Sequence, residues 1–311
     1  MTDTLPRLAV ATRARTSPRA LTGFDYLLYA LVVFAWSTSW IALKLQLGTV
    51  APEVSIALRF AIAALLMFGW ASVSGVRLAF PLSEHLRFAL LGVLLFGTNF
   101  VLFYYGGLST PSGLLAVVFS CAALFNLILS AAIFRQRPER SVAFGAVLGF
   151  AGVLAMFAPR IFSAGLDGSA LGGLALCVLG TLSFCLGNMV SVAVQRSGIG
   201  VISANSWGMA YGALFLALVA ALRGLPFTVD PSLAYLGSLL WLSTVSSVLA
   251  FAAYLTLLGR IGAARAGYST VMFPVFALLI STVVEGYVWT PIALVGLVLA
   301  LAGNFIVLRK R

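Results

Sequence analysis

The stretch STPSGLLAVVFSCAALFNLILS, Ser109 to Ser130, contains no charged side chain over its whole length. An uninterrupted apolar run of about 20 residues is long enough for an α-helix to cross the hydrocarbon core of a bilayer. The rest of the chain is similar, since 62% of its 311 residues are hydrophobic and 9% are charged. A soluble domain is far less apolar than this, so the composition predicts an all-α integral membrane protein.

Ten stretches of the chain are long and apolar enough to be membrane spans, and short connections separate them. Pro52, Pro111 and Pro291 open three of the stretches, where a missing backbone N–H costs little. Gly75 and Gly224 follow the ends of two others, as the residue after a helix often does. The predicted helices cover residues 24–44, 52–74, 86–106, 111–134, 141–158, 170–193, 201–222, 232–258, 264–286 and 291–308.

The basic residues indicate how these helices are oriented. With ten spans, fifteen of the nineteen Lys and Arg residues fall on the side that holds both termini, three fall on the other side, and Arg59 lies inside a span. Cytoplasmic segments carry the positive excess in membrane proteins, so we predict that both termini are cytoplasmic. The net charge of +11 therefore reflects topology, and the basic residues are too scattered for a nucleic-acid partner.

The opening stretch has a counterpart 151 residues later, RIGAARAGYSTVMFPVFALLIS from Arg260. The correspondence continues from GAVLGFAGVLAMF at Gly145 to GLVLALAGNFIVL at Gly296, and WSTSWIALK from Trp36 aligns with FCLGNMVSV from Phe184. Because five spans is an odd number, the second copy is predicted to be inverted, giving two inverted five-helix repeats around a central cavity. Secondary transporters are commonly built in this way, with a substrate site near the midplane. The predicted parts are a basic tail (1–23), a first repeat (24–158), a second repeat (170–308) and a basic tail (309–311).

The first repeat carries several motifs in a fixed order. WSTSW is followed by Lys44, Pro52 and Arg59-Phe60, and GAVLGFAGV and GLVLALAGN end the two repeats with a shared glycine spacing. These motifs resemble the drug/metabolite transporter superfamily in its ten-helix EamA-type branch, over residues 25–308. The W-S-T opening is most similar to the YddG-type aromatic amino acid exporters.

The resemblance implies a location and an arrangement. It places the protein in a bacterial inner membrane, with helices 1, 3, 4, 6, 8 and 9 around the cavity and helices 2, 5, 7 and 10 outside. The chain departs from the family pattern at two positions. Ala123 stands where helix 4 of the family often has a proline, and Arg135-Gln136 stands where a Gly-Glu pair is common, so no role of that acid carries over.

The chain lacks the residue sets that metal sites and enzymes need. The three cysteines form no CxxC pair, and His85 is the single histidine. None of the eight acids lies in the middle of a predicted span. We therefore predict no metal, no cofactor and no enzymatic activity, and a cavity for neutral or zwitterionic solutes. Facilitated movement and proton coupling both stay open.

Candidate cavity residues are the aromatic and neutral polar side chains at mid-depth, which can hold an apolar side chain and the polar groups of a zwitterion. They are Trp36, Ser37, Trp40, Asn99, Tyr104, Asn188, Ser246, Tyr254 and Phe273, with Pro274 as a gating hinge. The alternatives are interhelical hydrogen bonding for the polar groups, packing for the rings and a static bend at the proline. For Arg59 we favour a structural role, by snorkelling or by pairing with Glu53 or a backbone carbonyl, over substrate contact.

The function predicted from these features is export of neutral amino acids, aromatic or otherwise apolar, or of similar small metabolites, by alternating access. A multidrug or other metabolite exporter is one alternative, and a membrane receptor or scaffold without transport is another. The predicted partners are a small-molecule substrate and the lipid bilayer. A monomer is favoured, with a dimer through small-residue spacings such as Gly208 to Gly212 as the alternative.

Overall fold

A computed structural model describes residues 21–133, 140–163, 168–261 and 269–309. All regular secondary structure in these ranges is helical. Most of the two basic tails lies outside the described residues, and so does Arg135-Gln136. The prediction of an all-helical chain is confirmed for the part that is described.

The helices follow one another with short connections. The first half contains α1 (Gly23–Lys44), α2 (Pro52–Val73), α3 (Leu82–Leu91), the π-helical segment π1 (Gly92–Thr98), α4 (Asn99–Ser109), α5 (Ser112–Ser120), α6 (Ala122–Ile133) and α7 (Arg140–Ser163). The second half contains α8 (Gly168–Arg196), α9 (Val201–Leu222), α10 (Leu233–Trp241), π2 (Leu242–Leu249), α11 (Ala250–Ile261), α12 (Ser269–Glu285) and α13 (Pro291–Arg309).

Six of these helical stretches are long and apolar enough to cross a membrane. They are Gly23–Lys44, Pro52–Val73, Leu82–Ser109, Leu171–Arg196, Val201–Leu222 and Leu233–Tyr254. Four shorter apolar helices complete the set in the described residues: Ser112–Asn126, Val147–Pro159, Met272–Val284 and Pro291–Gly303. The chain is a multi-pass membrane protein by the length and composition of these helices.

Local sequence signals set the helix ends. Pro52 and Pro291 are the first residues of α2 and α13, as predicted. Gly75 and Gly224 both have φ near +65°, a left-handed conformation that a glycine adopts without strain after a helix. At the start of α1, Thr22 caps the helix with its side chain while the Asp25 carboxylate accepts from the Thr22 backbone N–H.

Three long predicted helices are not regular in the structure. The prediction of one continuous helix over 111–134 is wrong, because a turn at Cys121 separates α5 from α6. The spans around π1 and π2 each change from α- to π-helical hydrogen bonding and back. The two π segments begin at Gly92 and Leu242, 150 residues apart, so the same deformation occurs at matching positions of the two halves.

Packing in the bundle joins helices from the two halves. Helix α2 packs along α9, α7 packs along α13, and α1 contacts both α11 and α12. The α7–α13 contact is close because glycines face it, and a Cβ on Gly296 would lie 2.6 Å from the Gly152 carbonyl oxygen. Helix α1 thus lies inside the bundle, with the FAWSTSW stretch next to helices of the second half.

Candidate functional site

Helix α1 presents Trp36 and Trp40 on one face, because residues four apart in a helix are neighbours. The Trp36 ring centroid lies 5.3 Å from that of Tyr254 in α11 and 6.1 Å from that of Phe273 in α12. Phe251, one turn before Tyr254, lies at 6.2 Å. Three of the predicted cavity residues therefore contact one another directly.

Trp40 continues this aromatic surface toward α4 and α5. Its ring centroid is 5.2 Å from Phe103 and 5.5 Å from Phe119, and it stacks on Phe273 at 6.4 Å with an interplanar angle of 17°. Phe119 in turn lies 4.6 Å from Phe184 of α8. We call the six residues Trp36, Trp40, Phe119, Phe184, Tyr254 and Phe273 the aromatic wall.

Phe119 is the member of the wall that the sequence did not single out. It connects Trp40 to Phe184, and Phe184 is the residue that aligns with Trp36 in the second half. A signal was available, since Phe119 is an aromatic residue in mid-span on a helix that the family resemblance assigns to the cavity.

The predicted serines join helices next to the wall. Ser37 Oγ donates to a carbonyl of its own helix and, at 3.2 Å, to the carbonyl oxygen of Phe273. Phe273 directly precedes Pro274, so α1 is tied to α12 beside the proline that interrupts its backbone hydrogen bonding. Ser246 Oγ in π2 donates to the Ala35 carbonyl oxygen at 3.3 Å. Both hydroxyls have the interhelical hydrogen bonds that were weighed as their alternative role.

The two predicted asparagines lie in different places. Asn99 follows π1 and is 1% exposed, and its Nδ2 donates to the Leu95 carbonyl oxygen at 3.1 Å. Its buried Oδ1 has no hydrogen-bond partner among the described residues, and the same is true of the Trp40 Nε1. Asn188 is one turn beyond Phe184 and donates to Asn126 Oδ1 at 3.3 Å. Unpaired buried polar atoms are rare in folded proteins, so these two groups are candidates for binding a solute.

Tyr104 lies apart from the wall, beside Arg59. Its hydroxyl is fully buried and interacts with the Arg59 guanidinium without forming a hydrogen bond of normal geometry. Arg59 is itself 4% exposed, and its guanidinium carbon lies 4.4 Å above the Phe100 ring centroid. Its Nε and Nη2 donate to Ser247 Oγ of π2, each at 3.3 Å. Helix α2 therefore directs a buried cation into the bundle, and Arg59 does not snorkel.

The Arg59 cluster and the aromatic wall belong to one network of ring contacts. From Trp36 the contacts run through Phe251 and Phe96, with centroids 6.2 Å apart at each step. They continue from Phe96 to Phe60 at 5.3 Å and from Phe60 to Phe100 at 4.9 Å. The cation that lies over Phe100 is thus part of the same interior surface as the tryptophans.

Every acid in the described part of the chain lies at a helix end. These acids are Asp25, Glu53, Glu84, Asp230 and Glu285. Glu53, in the first turn of α2, forms an ion pair with Arg223 and accepts from the Tyr105 hydroxyl at 3.1 Å. The Tyr105 hydroxyl and then the charge of Glu53 raise the pKa of Arg223. Glu53 is thus the ion-pair partner of Arg223 and does not pair with Arg59.

Glu285 also has a structural role. Its carboxylate accepts from the backbone N–H of Ser112 at 2.9 Å, from the Ser112 hydroxyl and from the Ser281 hydroxyl at 2.6 Å. Ser112 is the first residue of α5, so Glu285 at the end of α12 caps the beginning of another helix.

An apolar groove of about 330 Å³ lies elsewhere, between α2 and α9. It is lined by Val54, Ala57, Leu58, Ala61, Ala213, Leu214, Ala217 and Phe227. None of these side chains donates or accepts a hydrogen bond, and Leu214 and Phe227 are exposed. A polar solute would find no partner there, so the candidate site is the aromatic wall with its polar neighbours.

Comparison with known proteins adds a family to this geometry. The model of the EamA-like transporter family matches residues 24–158 and 171–309. The chain is 28% identical to a Salmonella typhimurium protein named "Probable amino-acid metabolite efflux pump", over 91% of this chain and 94% of that protein. It is 25% identical to the Escherichia coli "Uncharacterized inner membrane transporter YedA", over 83% and 82% of the two chains. A solved crystal structure has the same fold, with a TM-score of 0.65 at 18% identity over 91% of this chain and 95% of that one.

Proposed function

The chain belongs to the EamA-like transporter family, and from this premise we propose that it exports neutral amino acids or similar small metabolites. Membership of this family points to a transporter rather than an enzyme, and it implies a small-molecule substrate and a lipid environment. The substrate class, amino acids with aromatic or other apolar side chains, is the part that needs support from the site. The relative named as an amino-acid metabolite efflux pump favours it.

The observation that carries the proposal is the composition of the interior surface. The aromatic wall offers rings to an apolar side chain, and neutral groups such as Asn99 Oδ1 and Trp40 Nε1 stand unpaired beside it. The described acids all lie at helix ends, which disfavours an organic cation as the solute because a buried cation wants a counter-ion. A zwitterion with an apolar side chain matches this surface best.

We propose that the architecture is ten spans in two inverted five-helix repeats, covering residues 24–158 and 170–308. The family model matches the chain twice with nearly these bounds, and the two π segments lie at matching positions. Six long apolar helices and four shorter ones in the described residues support this count. Two repeats of five spans have opposite orientations, which is the arrangement from which alternating access arises in other secondary transporters.

Alternating access requires helices that can bend next to the site, and interruptions in two helices support such bending. Helix α12 contains Pro274 directly after Phe273 of the wall, which makes it the proposed hinge. In the first half, α5 ends at Ser120 and a turn at Cys121 follows, two residues after Phe119 of the wall. The first-half break needs no proline, so the absence of one at Ala123 does not remove the hinge.

The proposed location is a bacterial inner membrane with both termini in the cytoplasm. Fifteen of nineteen basic residues fall on the terminal side of a ten-span topology, and the Escherichia coli relative is named an inner membrane transporter. Cysteine labelling from each side of the membrane tests the orientation, because a tag at either terminus should react only from the cytoplasm.

The experiment for the function is counterflow of radiolabelled phenylalanine or tryptophan in proteoliposomes. Trp36→Ala and Trp40→Ala should each lower the rate at least about tenfold, since each removes a large ring from the wall. Trp70→Ala, near the end of α2 and outside the wall, is the matched control and should retain most of the activity. All three variants are compared for membrane insertion and for a monodisperse profile in detergent.

The outcomes separate the candidate functions. Amino-acid flux equal to that of empty liposomes, together with movement of a quaternary ammonium dye, would replace the proposal with multidrug export. Binding of an amino acid without counterflow would favour a receptor. Normal flux in both tryptophan variants would leave a transporter whose site lies away from the aromatic wall.

A further inference from the structure

Arg59 is a charge in the interior of a membrane-spanning helix. It is the eighth residue of α2, about 10 Å along the axis from Pro52, and it is 4% exposed. Arginine keeps its proton in proteins, so this position carries a permanent positive charge. Ionisable groups within spans are costly and mark functional sites by default, which makes the partner of Arg59 the question to answer.

The described partners of Arg59 are all neutral. Ser247 Oγ accepts from Nε and Nη2, the Phe100 ring lies beneath the guanidinium, and the Tyr104 hydroxyl stands nearby. No acceptor in the described residues takes the N–H groups of Nη1. Two hydroxyls and one ring orient the guanidinium, but they carry no negative charge and so do not neutralise it.

The acids near α2 are not available to Arg59. The ion pairs in the described ranges are Glu53 with Arg223 and Glu84 with Arg87. Glu53, on the same helix, is saturated by Arg223 and the Tyr105 hydroxyl at the helix end. Arg59 is therefore a buried, oriented guanidinium with free donors, and no carboxylate in the described ranges receives them.

We infer that Arg59 receives the carboxylate of the transported solute. A guanidinium presents paired N–H donors in a plane that matches the two oxygens of a carboxylate, and such charge-assisted pairs are the strong ones. Here Ser247 and Phe100 fix that plane in advance. The inference rests on the proposed function and deepens it, because it divides the solute between a carboxylate site and an apolar site.

The position of Arg59 relative to the wall supports this division. Ser247 binds Arg59, and the preceding Ser246 binds the Ala35 carbonyl, adjacent to Trp36. One π segment thus bridges the cation on α2 and the tryptophan face on α1. We expect the carboxylate of an α-amino acid to engage Arg59 while its side chain packs against the rings that connect Arg59 with Trp36.

The test compares phenylalanine with phenylalaninamide, in which a neutral carboxamide replaces the carboxylate and removes the negative charge. Both are assayed as inhibitors of phenylalanine counterflow and as ligands that raise the unfolding temperature of the purified protein. The proteins are wild type, Arg59→Gln, Arg59→Lys and the control Arg87→Gln, whose arginine is exposed and pairs with Glu84. Size-exclusion profiles check that each variant is folded.

Wild type and Arg87→Gln should prefer phenylalanine over its amide. Arg59→Gln should weaken the binding of phenylalanine by about tenfold to a hundredfold and leave the binding of the amide unchanged. The substitution removes a hydrogen-bonded charge pair that only phenylalanine can form. Arg59→Lys should keep the preference with a smaller loss, as it retains the charge without the paired donors. If Arg59→Gln does not fold, Arg59→Lys decides alone, and an unchanged phenylalanine affinity in it overturns the inference.

The results also distinguish this inference from the proposed function. Equal binding of the two compounds to wild type, or an equal loss of both in Arg59→Gln, assigns Arg59 a structural role only. Amino-acid counterflow that persists in Arg59→Gln with its preference intact preserves the function and overturns the inference. If phenylalanine stabilises wild type through Arg59 but never crosses the membrane, the inference is supported and the proposed transport function is overturned.

Discussion

A helix of each half packs against the π segment of the other half, and the two contacts differ in chemistry. Where α9 crosses π1, glycines meet: a Cβ on Gly92 would lie 2.6 Å from the Gly208 carbonyl oxygen and 2.7 Å from the Gly212 backbone nitrogen. Where α2 crosses π2, Arg59 reaches Ser247 across the gap. The first contact is closed by backbone, and the second holds a charged side chain.

A similar backbone arrangement therefore serves two purposes in the two halves. The glycine contact leaves no room for a side chain, so it holds α9 and π1 at a fixed distance. The arginine contact holds a charged side chain whose Nη1 donors have no acceptor among the described residues. A site that is polar on one side only gives a solute one orientation, whereas two equal contacts would accept it in either.

The largest expected effect comes from breaking the closed contact. Gly92→Ala places a methyl group against backbone atoms of α9, which cannot move aside as a side chain tip can. We expect a loss of about 1–3 kcal/mol of stability or more, as for overpacked cores, seen as a lower unfolding temperature and poor recovery from the membrane.

The matched control for this prediction is Gly69→Ala in α2, where a Cβ meets nothing within 4 Å. Alanine is the better helix former, so this variant should be as stable as wild type or slightly more stable. Equal behaviour of the two variants would show that the α9–π1 contact is not tight.

A smaller effect is expected from the polar contact. Ser247→Ala removes the acceptor that orients the Arg59 guanidinium, so the apparent KM for phenylalanine should rise about fivefold, equivalent to about 1 kcal/mol. Ser243→Ala is the control in the same π segment, because its hydroxyl bonds only to the Leu239 carbonyl of the preceding turn. A KM that rises equally in both would indicate that the segment, and not Arg59, was disturbed.

The smallest effect concerns how the spans that contain the π segments begin. Before α10, Asp230 accepts from the Ser232 backbone N–H, which lowers the pKa of Asp230 below its ordinary 3.8. This contribution to stability is present above pH 3.8 and is lost as the pH falls through the lowered pKa. Asp230→Asn should therefore protect the first turn of α10 from hydrogen exchange slightly less than wild type at pH 6, and the difference should shrink below pH 3.8 and vanish once the pH is below the lowered pKa of Asp230.

The corresponding start of α3 supplies the reference for that measurement. Its N-cap is Pro81, which makes no side-chain capping hydrogen bond. Exchange in the first turn of α3 should therefore be the same in wild type and in Asp230→Asn. A change at both helix starts would point to a global loss of stability.

Much of the fold could be predicted from the sequence because the bilayer makes the rules simple. Apolar length predicted the helices, and Pro52, Pro291, Gly75 and Gly224 marked ends that the structure has. The turn at Cys121 and the π segments could not be predicted in this way. Their sequences are as apolar as those of regular helices. What differs is the spacing of the backbone hydrogen bonds, which tertiary packing sets.

The candidate site was predicted in part. The sequence predicts Trp36, Trp40, Tyr254 and Phe273 as neutral mid-depth cavity residues, and in the structure Trp36 contacts Tyr254 and Phe273 while Phe273 also stacks on Trp40. Arg59 was assigned a structural role because the resemblance puts helix 2 outside the cavity. The direction of its side chain depends on how α2 is rotated against π2, and a nearly uniform apolar helix does not encode that rotation in its pattern.

The capping of α5 by Glu285 has a mechanical consequence. Three donors converge on this carboxylate, two of them from Ser112, so the end of α12 and the beginning of α5 are fastened together. Both helices are interrupted further along, after Phe119 in one and at Pro274 in the other. We expect the two helices to bend at these interruptions, beside the aromatic wall. The ends that Glu285 joins should stay together unless its hydrogen bonds break.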